Sequence, residues 1–192
     1  MSEHEPMQRT QALQELGLDP CNRYVLVQLG AGNINDISNL RKMVCAQVLE
    51  KSNGLVTPII ASSPLSKKNS ATTSDAAMIQ RYPISPYLRG FDFVVSAAGY
   101  NSVHEIVRWN IPSLVIPNTK ASTDDQETRS RALHDNVRHF HASTEDEISW
   151  GISALLSQSE ETNINLNGAS ENMQNIDSGE EAATVISSIA KN

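Results

Sequence analysis

The chain has 192 residues, of which 39% are hydrophobic and 19% charged, and its formal net charge is −7. This composition is typical of a globular domain with a substantial core, and the length is too short for two large domains. The acidic balance excludes the phosphate backbone of a nucleic acid as a main partner. A nucleotide ligand stays open, because helix N-termini and peptide nests bind phosphate locally without a basic surface.

The cysteines and the N-terminus indicate the compartment. Cys21 and Cys45 have no C-x-x-C spacing, which excludes zinc-finger and thioredoxin-type sites and favours reduced thiols in a cytosol. The polar segment 1–14 is not a signal peptide, and no apolar run approaches the roughly 20 residues of a membrane span. The sequence therefore predicts a cytoplasmic protein.

Strands and helices alternate along the predicted chain. In order, the first half contains a helix at 8–16, a strand at 24–29, a helix at 36–50 that starts near Asp36, a strand at 56–61, a polar loop at 62–74, a weak strand at 77–82 and a helical turn around Leu88. The second half contains a strand at 93–97, a helix at 101–109, a strand at 113–116, a helix at 124–135, a strand at 137–141, a helix at 145–156 and a last helix at 179–190.

This alternation predicts the fold class. Several of the strands are continuously apolar, as strands buried on both faces are. We therefore predict an α/β, Rossmann-like parallel sheet flanked by helices. The expected organisation is a linker and N-terminal helix at 1–20, the domain at 21–157, a loose surface segment at 158–178, and a C-terminal helix at 179–192.

A glycine-rich turn follows the first strand. It consists of Gly30, Ala31, Gly32 and Asn33 and precedes a helix. Glycines at such a place let the backbone approach a pyrophosphate, whose charge the helix start stabilises. The spacing is not G-x-G-x-x-G, so an ordinary turn between strand and helix is an equally good interpretation.

The segment from Asp92 to Glu105 is more informative, since it reads as a buried strand, a glycine turn and a helix start that carries a carboxylate. Ser102 and Glu105 fit the S-x-x-E pattern of a capping box, which is one interpretation. In the other, the two oxygens of Glu105 accept both hydroxyls of a ribose. The N–H groups of Tyr100, Asn101 and Ser102 would then face a diphosphate.

A second cluster, Thr123-Asp124-Asp125-Gln126, also has two interpretations. It fits a capping box of the T-x-x-Q kind. Alternatively, Asp125 and Gln126 hydrogen-bond the vicinal hydroxyls of a hexose, because a carboxylate and an amide can each make two such bonds.

The five histidines do not cluster, and no Ser-His-Asp or Cys-His set can be assembled. His139 and His141 share one face of a predicted strand, where a packing role is the favoured interpretation. The residues alone therefore indicate no metal site and no set of a nucleophile with its base.

These motifs resemble the C-terminal, donor-binding half of GT-B glycosyltransferases, and most nearly the MurG-like family, glycosyltransferase family 28. The resemblance extends from Tyr24 to about Leu156. It is carried by the S-A-A-G-Y-N-S-V-H-E run at 96–105, by Asn110-Ile111-Pro112 before a strand that ends in Pro117, and by D-D-Q at 124–126.

The resemblance implies a role for each motif. The turn at 30–33 would face the phosphates of UDP, together with Ser96 and Gly99. Glu105 would hold the ribose, and the acidic and amide group, Asp124, Asp125 and Gln126, would hold the donor sugar. Main chain around 81–84, which includes Tyr82 and Ile84, would hold the uracil.

The chain also departs from the family pattern. An arginine that often precedes the glycine of the second motif is missing, because Ala97 and Ala98 stand there. Stabilisation of the diphosphate would then fall to backbone N–H groups or to a residue elsewhere. The first turn also lacks the usual Ser or Thr beside its glycines.

The resemblance implies the donor-binding domain of a hexosyltransferase that uses a UDP-sugar, with UDP-N-acetylglucosamine expected, and needs neither a metal nor a cofactor. The general base would lie on an N-terminal acceptor domain that this chain lacks, so we expect the isolated chain to be inactive. Whether it is an excised domain or a separate subunit stays open. Alternatives are a UDP-sugar 2-epimerase-like domain and a non-catalytic nucleotide-sugar-binding subunit.

Two further expectations concern partners. In two-domain relatives the C-terminal helix packs back across the cleft, so the apolar face of Ala183, Ile186 and Ile189 would be partly exposed and drive self-association. The missing acceptor domain or subunit would be the other protein partner. Through it, the protein could be peripheral to the inner membrane.

Overall fold

A computed structural model describes residues 5–30, 34–62, 76–118, 125–133 and 138–169, with backbone alone for 34–36, 62 and 162–169. Packing divides the chain into two units, residues 1–159 and 160–192. The described part of the second unit is helical backbone as far as Ala169. The predicted helix at 179–190, with its apolar face, lies outside the described residues.

The described residues contain six strands and five α-helices. The strands are β1 Arg23–Gln28, β2 Val56–Ser62, β3 Ala77–Gln80, β4 Phe93–Ala97, β5 Ser113–Ile116 and β6 His139–His141. The helices are α1 Arg9–Glu15, α2 Ile34–Lys51, α3 Tyr100–Arg108, α4 Gln126–Arg131 and α5 Glu145–Ala169, with a 3-10 helix at Ser85–Gly90.

All six strands form one parallel sheet in the order β3-β2-β1-β4-β5-β6. The chain moves outward from β1 to β3 and then returns to place β4 on the other side of β1. This is the Rossmann strand order, and it confirms the predicted fold class. Because connections leave β1 and β4 in opposite directions, a crevice forms at the carboxyl ends of these two strands.

Alternation along the strands divides the core between the two faces of the sheet. Val25 and Val27 of β1 face α2 and α5, whereas Leu26 faces α1 and the 3-10 helix. In β4, Phe93 and Val95 join the first cluster and Val94 joins the second. Burial on both faces explains why these strands read as continuous apolar runs.

Helix α2 packs one apolar face against the sheet. Val44 and Val48 are fully buried, and Ile37 and Leu40 pack against the same cluster. The helix begins at Ile34, two residues before the start predicted at Asp36, so Asp36 lies inside the first turn.

The first helix belongs to the sheet domain. The sequence places a linker and helix at 1–20, but Ala12 and Leu13 of α1 are fully buried, and α1 lies in the same unit as the sheet. A Cβ atom added at Gly90 would lie 3.2 Å from Ala12 Cβ, which shows how closely α1 approaches the 3-10 helix. This segment therefore supplies part of the core.

The expectation of a loose segment from residue 158 is wrong for its first part, since α5 continues to Ala169 instead of ending near Leu156. No Pro or Gly interrupts residues 152–167. The hydroxyls of Ser153 and Ser157 donate to carbonyl oxygens four residues earlier in the same helix. These serines are therefore hydrogen-bonded within the helix. A scarcity of apolar residues does not by itself end a helix.

A buried carboxylate ties the amino ends of β1 and β4 together. Asp92 accepts a hydrogen bond from the Tyr24 N–H at 2.8 Å, and its side chain is 4% exposed. Arg9 and Arg23 lie 3.5 and 3.6 Å from its two oxygens. Arg9 also donates to the carbonyl of Gly90 at 2.8 Å, which attaches α1 to the same point.

Candidate functional site

The glycine turn and the second motif start side by side at the carboxyl ends of β1 and β4. Gln28 is in register with Ser96, and Gly30 follows β1 with φ of +75°. A Cβ atom added at Gly30 would lie 3.7 Å from Ala97 Cβ. The left-handed backbone at Gly30 suits glycine, which has no Cβ to strain. The rest of this predicted phosphate turn, Ala31, Gly32 and Asn33, lies outside the described residues.

Helix α3 begins directly after β4. Gly99 is its N-cap, with extended backbone and no side-chain cap, and the first helical residues are Tyr100, Asn101 and Ser102. The first N–H groups of a helix have no acceptor inside the helix, and the helix dipole makes this end positive. The three N–H groups predicted to face a diphosphate are therefore the leading ones of α3.

This helix start overturns the capping-box interpretation of Ser102 and Glu105. A capping box requires the serine at the N-cap and the glutamate at the third helical position. Instead, Ser102 is itself the third helical residue, and Glu105 is the sixth. The carboxylate of Glu105 cannot reach back to the N-cap, so it does not cap its own helix.

Glu105 instead meets the start of the 3-10 helix. Burial raises the pKa of its carboxyl, and the nearby Ser85 hydroxyl lowers that pKa by a smaller amount. Ser85 is 2% exposed, and its Oγ has no partner of normal hydrogen-bond geometry among the described residues. The two groups are thus close neighbours in an incompletely satisfied polar site. Such sites are favoured positions for ligands.

The segment predicted to hold a uracil lies next to this pair in sequence. Ile84 directly precedes Ser85, and its side chain is buried in the core, so only its main chain is available to a ligand. Tyr82 is 80% exposed and precedes a cis bond to Pro83. The fold therefore brings the predicted uracil segment and the predicted ribose carboxylate together.

Replacing Ser85 by Ala should raise the pKa of Glu105 further above its usual value, because the variant loses the hydroxyl that lowers it. An NMR titration of the Glu105 side-chain carbon would measure this pKa in both proteins. The matched control is Ser96→Ala, since Ser96 is also buried and donates to the Ala97 carbonyl at 2.9 Å. An unchanged or lower pKa in the Ser85 variant would contradict the assignment.

The Ser96 hydroxyl donates to the backbone carbonyl of Ala97, the next residue of its own strand. The family resemblance predicts that Ser96 faces the phosphates, but the residue is 1% exposed and its hydroxyl is directed to the backbone of Ala97. Its side chain is therefore not presented to the crevice.

Helix α4 carries two of the residues predicted to contact a sugar. Asp125 is its N-cap and accepts from the Thr128 N–H at 3.0 Å, while Gln126 Oε1 accepts from the Asn118 N–H at 2.9 Å. The predicted box led by Thr123 therefore does not start the helix. The bond between Asn118 and Gln126 joins α4 to the chain that leaves β5. Asp124 lies outside the described residues.

Sequence reasoning missed Arg129. Its Nη1 donates to the carbonyl of Ala98 at 2.6 Å, and its Cζ lies 5.6 Å from the centre of the Tyr100 ring. Both partners flank Gly99, the N-cap of α3. No local pattern could identify this contact, because 31 residues separate Arg129 from Ala98.

The histidines of β6 have the predicted packing role. His139 is buried beside Ser113 at 3.0 Å, and burial lowers its pKa, with a smaller effect from Arg138. His141 lies 2.6 Å from Ser130 and 3.0 Å from Ser143.

The described ranges contain no group of three His, Cys, Asp or Glu side chains that could hold a metal ion. Burial raises the pKa of Cys45 to about 11, against a smaller opposing effect of Arg41, so this thiol stays protonated. Within these ranges, no helix combines the length and apolar character needed to cross a membrane.

Comparison with known proteins gives one family match. The glycosyltransferase family 28 C-terminal domain matches residues 45–184. No curated protein sequence matches significantly.

Two solved structures share this fold with TM-scores above 0.5. The spinosyn rhamnosyltransferase SpnG superposes with a TM-score of 0.52 at 20% identity, over 74% of this chain and 41% of its own. The glycotransferase of kitacinnamycin superposes with a TM-score of 0.56 at 13% identity, over 85% of this chain and 39% of its own. MurG from Acinetobacter baumannii superposes with a TM-score of 0.48 at 10% identity, over 84% of this chain and 53% of its own. This chain therefore spans less than two thirds of the length of each of these structures.

Proposed function

Because this chain belongs to the family of glycosyltransferase family 28 C-terminal domains, we propose that it binds a UDP-sugar at the carboxyl ends of β1 and β4. The observation that carries the proposal is Glu105. Its carboxylate is partly buried, has a raised pKa and takes no part in capping α3. It lies beside the buried Ser85 hydroxyl, one turn beyond the leading N–H groups of the helix.

In the proposed complex, each part of the donor meets one element. The ribose hydroxyls donate to the two oxygens of Glu105, and the uracil lies against the main chain of residues 82–84. The diphosphate lies at the start of α3, where Tyr100 to Ser102 present their N–H groups. The hexose reaches the start of α4, where Asp125 and Gln126 are placed. We propose UDP-N-acetylglucosamine as the donor.

The proposed reaction is transfer of the hexosyl group to an acceptor hydroxyl. The acceptor oxygen attacks the anomeric carbon, the bond to the β-phosphate oxygen breaks, and a general base on an acceptor-binding domain outside this chain takes the acceptor proton. Charge that develops on the departing UDP is stabilised by the positive start of α3. The isolated chain would thus bind the donor without rapid transfer.

Calorimetric titration with UDP, UDP-N-acetylglucosamine, UDP-glucose and NAD tests the proposal. We expect the UDP compounds to bind and NAD not to bind, since the first turn lacks the dinucleotide spacing. NAD binding as tight as that of UDP, or no UDP binding at millimolar ligand, would overturn it. Rapid transfer by the isolated chain would contradict the assignment of the base to another domain.

A further inference from the structure

The proposed nucleoside site lies on a short stretch of chain that needs support from its neighbours. Uracil would meet the main chain of residues 82–84, and Ser85, beside Glu105, begins the 3-10 helix Ser85–Gly90. A 3-10 helix has poorer hydrogen-bond geometry than an α-helix, so its position depends strongly on what packs against it. Helix α1 packs against it directly.

The chain ahead of α1 is bonded to the 3-10 helix. The Met7 N–H donates to the carbonyl of Pro86, the residue after Ser85, at 2.8 Å. Towards the other end of the 3-10 helix, Nη1 of Arg89 lies 2.8 Å from Oε1 of Glu5. This ion pair is partly exposed and contributes little by itself. The backbone bond ties the start of the 3-10 helix, next to the proposed site, to the N-terminal segment.

The last residue of α1 contacts both sides of the uracil segment. The carbonyl of Glu15, which ends α1, accepts from Nη2 of Arg81 at 3.0 Å. The Glu15 carboxylate accepts from the hydroxyl of Tyr87 at 3.4 Å. Arg81 directly precedes residues 82–84, and Tyr87 follows them in the 3-10 helix. The end of α1 is thus bonded to the chain before and after the main chain that would hold the uracil.

Apolar packing fixes the distance between α1 and the 3-10 helix. Leu13 is fully buried in the core cluster that contains Ile84 and Leu88. A Cβ atom added at Gly90 would lie 3.2 Å from Ala12 Cβ and 3.3 Å from Leu13 Cδ2. Close-packed interiors transmit strain. A shift of α1 therefore moves the 3-10 helix and the main chain that leads into it.

We propose that α1 is a positioning element of the nucleoside site, which holds residues 81–90 in the conformation that receives uracil and ribose. Docking of α1 and binding of the nucleoside are then coupled, and by linkage each strengthens the other to the same extent. This inference rests on the proposed function and adds to it a helix that contributes no proposed ligand contact. It assigns α1 to the nucleoside part of the ligand, so uridine and UDP should respond alike.

NMR titration of the wild-type chain and Gly90→Ala with uridine and UDP tests the coupling. Alanine at Gly90 places a Cβ atom 3.2 Å from that of Ala12 and forces α1 away from the 3-10 helix. We expect both ligands to bind about fivefold more weakly or worse, the lower end of ordinary coupling between sites. Arg81 and Tyr87 are left unchanged, so the loss does not come from a side chain beside the ligand.

Gly151→Ala is the matched control. Its Cβ atom would lie 2.6 Å from Leu114 Cδ1, in the core cluster on the other face of the sheet. This substitution overpacks the core at least as severely as Gly90→Ala does. Because α5 has no contact with the 3-10 helix in the proposal, the folded variant should bind both ligands within about twofold of wild type.

Combining Gly90→Ala with Ala12→Gly separates positioning from general loss of stability. The second substitution removes the Cβ atom that the new alanine meets at 3.2 Å. The double variant should regain most of the uridine and UDP affinity, although glycine inside a helix lowers stability further. An element that acted only through stability would show the opposite order.

Hydrogen exchange in the wild-type chain tests the coupling without a variant. Ala12 and Leu16 both donate backbone hydrogen bonds within the α1 segment. Saturating UDP should slow exchange of these amides about fivefold or more. The amide of Ile152, buried in α5 on the other face of the sheet, should be slowed less.

The outcomes separate this inference from the proposed function. If the wild-type chain binds UDP but Gly90→Ala binds it equally well, or no worse than Gly151→Ala, the inference is overturned and the proposed function stands. Should Gly90→Ala fail to fold, unchanged exchange of the α1 amides on UDP binding would overturn the inference in the same way. Failure of the wild-type chain to bind UDP would overturn both.

Discussion

Glu105→Gln is expected to lose at least tenfold in UDP affinity, or about 1.4 kcal/mol, while it unfolds at the same or a higher temperature than the wild-type chain. Glutamine keeps the size of the side chain but presents one acceptor oxygen in place of two. Two ribose hydroxyls can then no longer both donate to it. Loss of binding without loss of stability distinguishes a ligand contact from a structural contact.

The expected unfolding temperature of Glu105→Gln follows from the raised pKa of Glu105. A carboxyl whose pKa is higher in the folded state binds its proton more tightly there. Folding therefore becomes less favourable as the pH rises from the pKa of an unfolded-state glutamate, about 4.3, through the higher pKa of the folded state. Neutral glutamine removes this penalty. The thermal advantage of the variant should therefore grow with pH across that window and stay constant above it.

Thermal unfolding between pH 3 and pH 8, together with calorimetry with UDP at neutral pH, would measure both effects. Glu50→Gln is the matched control, because Glu50 is exposed near the end of α2 and should affect neither quantity. A Glu105 variant that melts lower and binds UDP normally would restore the view of Glu105 as a structural residue.

Asp92→Asn is expected to lower the free energy of unfolding by about 3 kcal/mol and leave UDP affinity unchanged under folding conditions. The carboxylate is buried, accepts from the Tyr24 N–H, and lies within 4 Å of Arg9 and Arg23. Asparagine removes the negative charge that both guanidinium groups face. Removing one partner of a buried ion pair costs more than the pair contributes. Here the two guanidinium groups lose this counter-ion while they stay partly withdrawn from water, with side chains 34% and 21% exposed.

Urea unfolding of the variant and the wild-type chain would measure this loss. Asp146→Asn in the exposed first turn of α5 is the control, where an effect within about 0.5 kcal/mol is expected. A loss below about 1 kcal/mol at Asp92 would place its ion pairs among ordinary surface pairs. Weaker UDP binding by the folded variant would contradict the separation of this carboxylate from the site.

Much of the fold could be predicted from the sequence, because burial on both faces produces continuous apolar strands. All six described strands overlap their predicted positions. Local sequence does not give their order, since nothing local tells β4 to pair with β1 and not with β3, and only the Rossmann-like class predicted for the whole domain implies it. The continuation of α5 to Ala169 was not predicted, because a serine- and asparagine-rich sequence with few apolar residues is typical of a loop.

The candidate site could also be predicted in part. The run at 96–105 identified Glu105, but the pattern of Ser102 and Glu105 matches a helix cap equally well. The observed helix start at Tyr100 excludes the cap interpretation, and the ribose contact stays a proposal. Ser85 and Arg129 could not be found from spacing, since each meets the motif across a long stretch of chain.

The placement of Asp92 has a consequence for how the effects of substitutions combine in this domain. It fastens the amino ends of β1 and β4, whereas the crevice opens at their carboxyl ends, a full strand length away. Substitutions at distant, unconnected positions have nearly independent effects on stability. Substitutions in the proposed donor site at the carboxyl ends should therefore change stability by amounts that add to those of substitutions at Asp92.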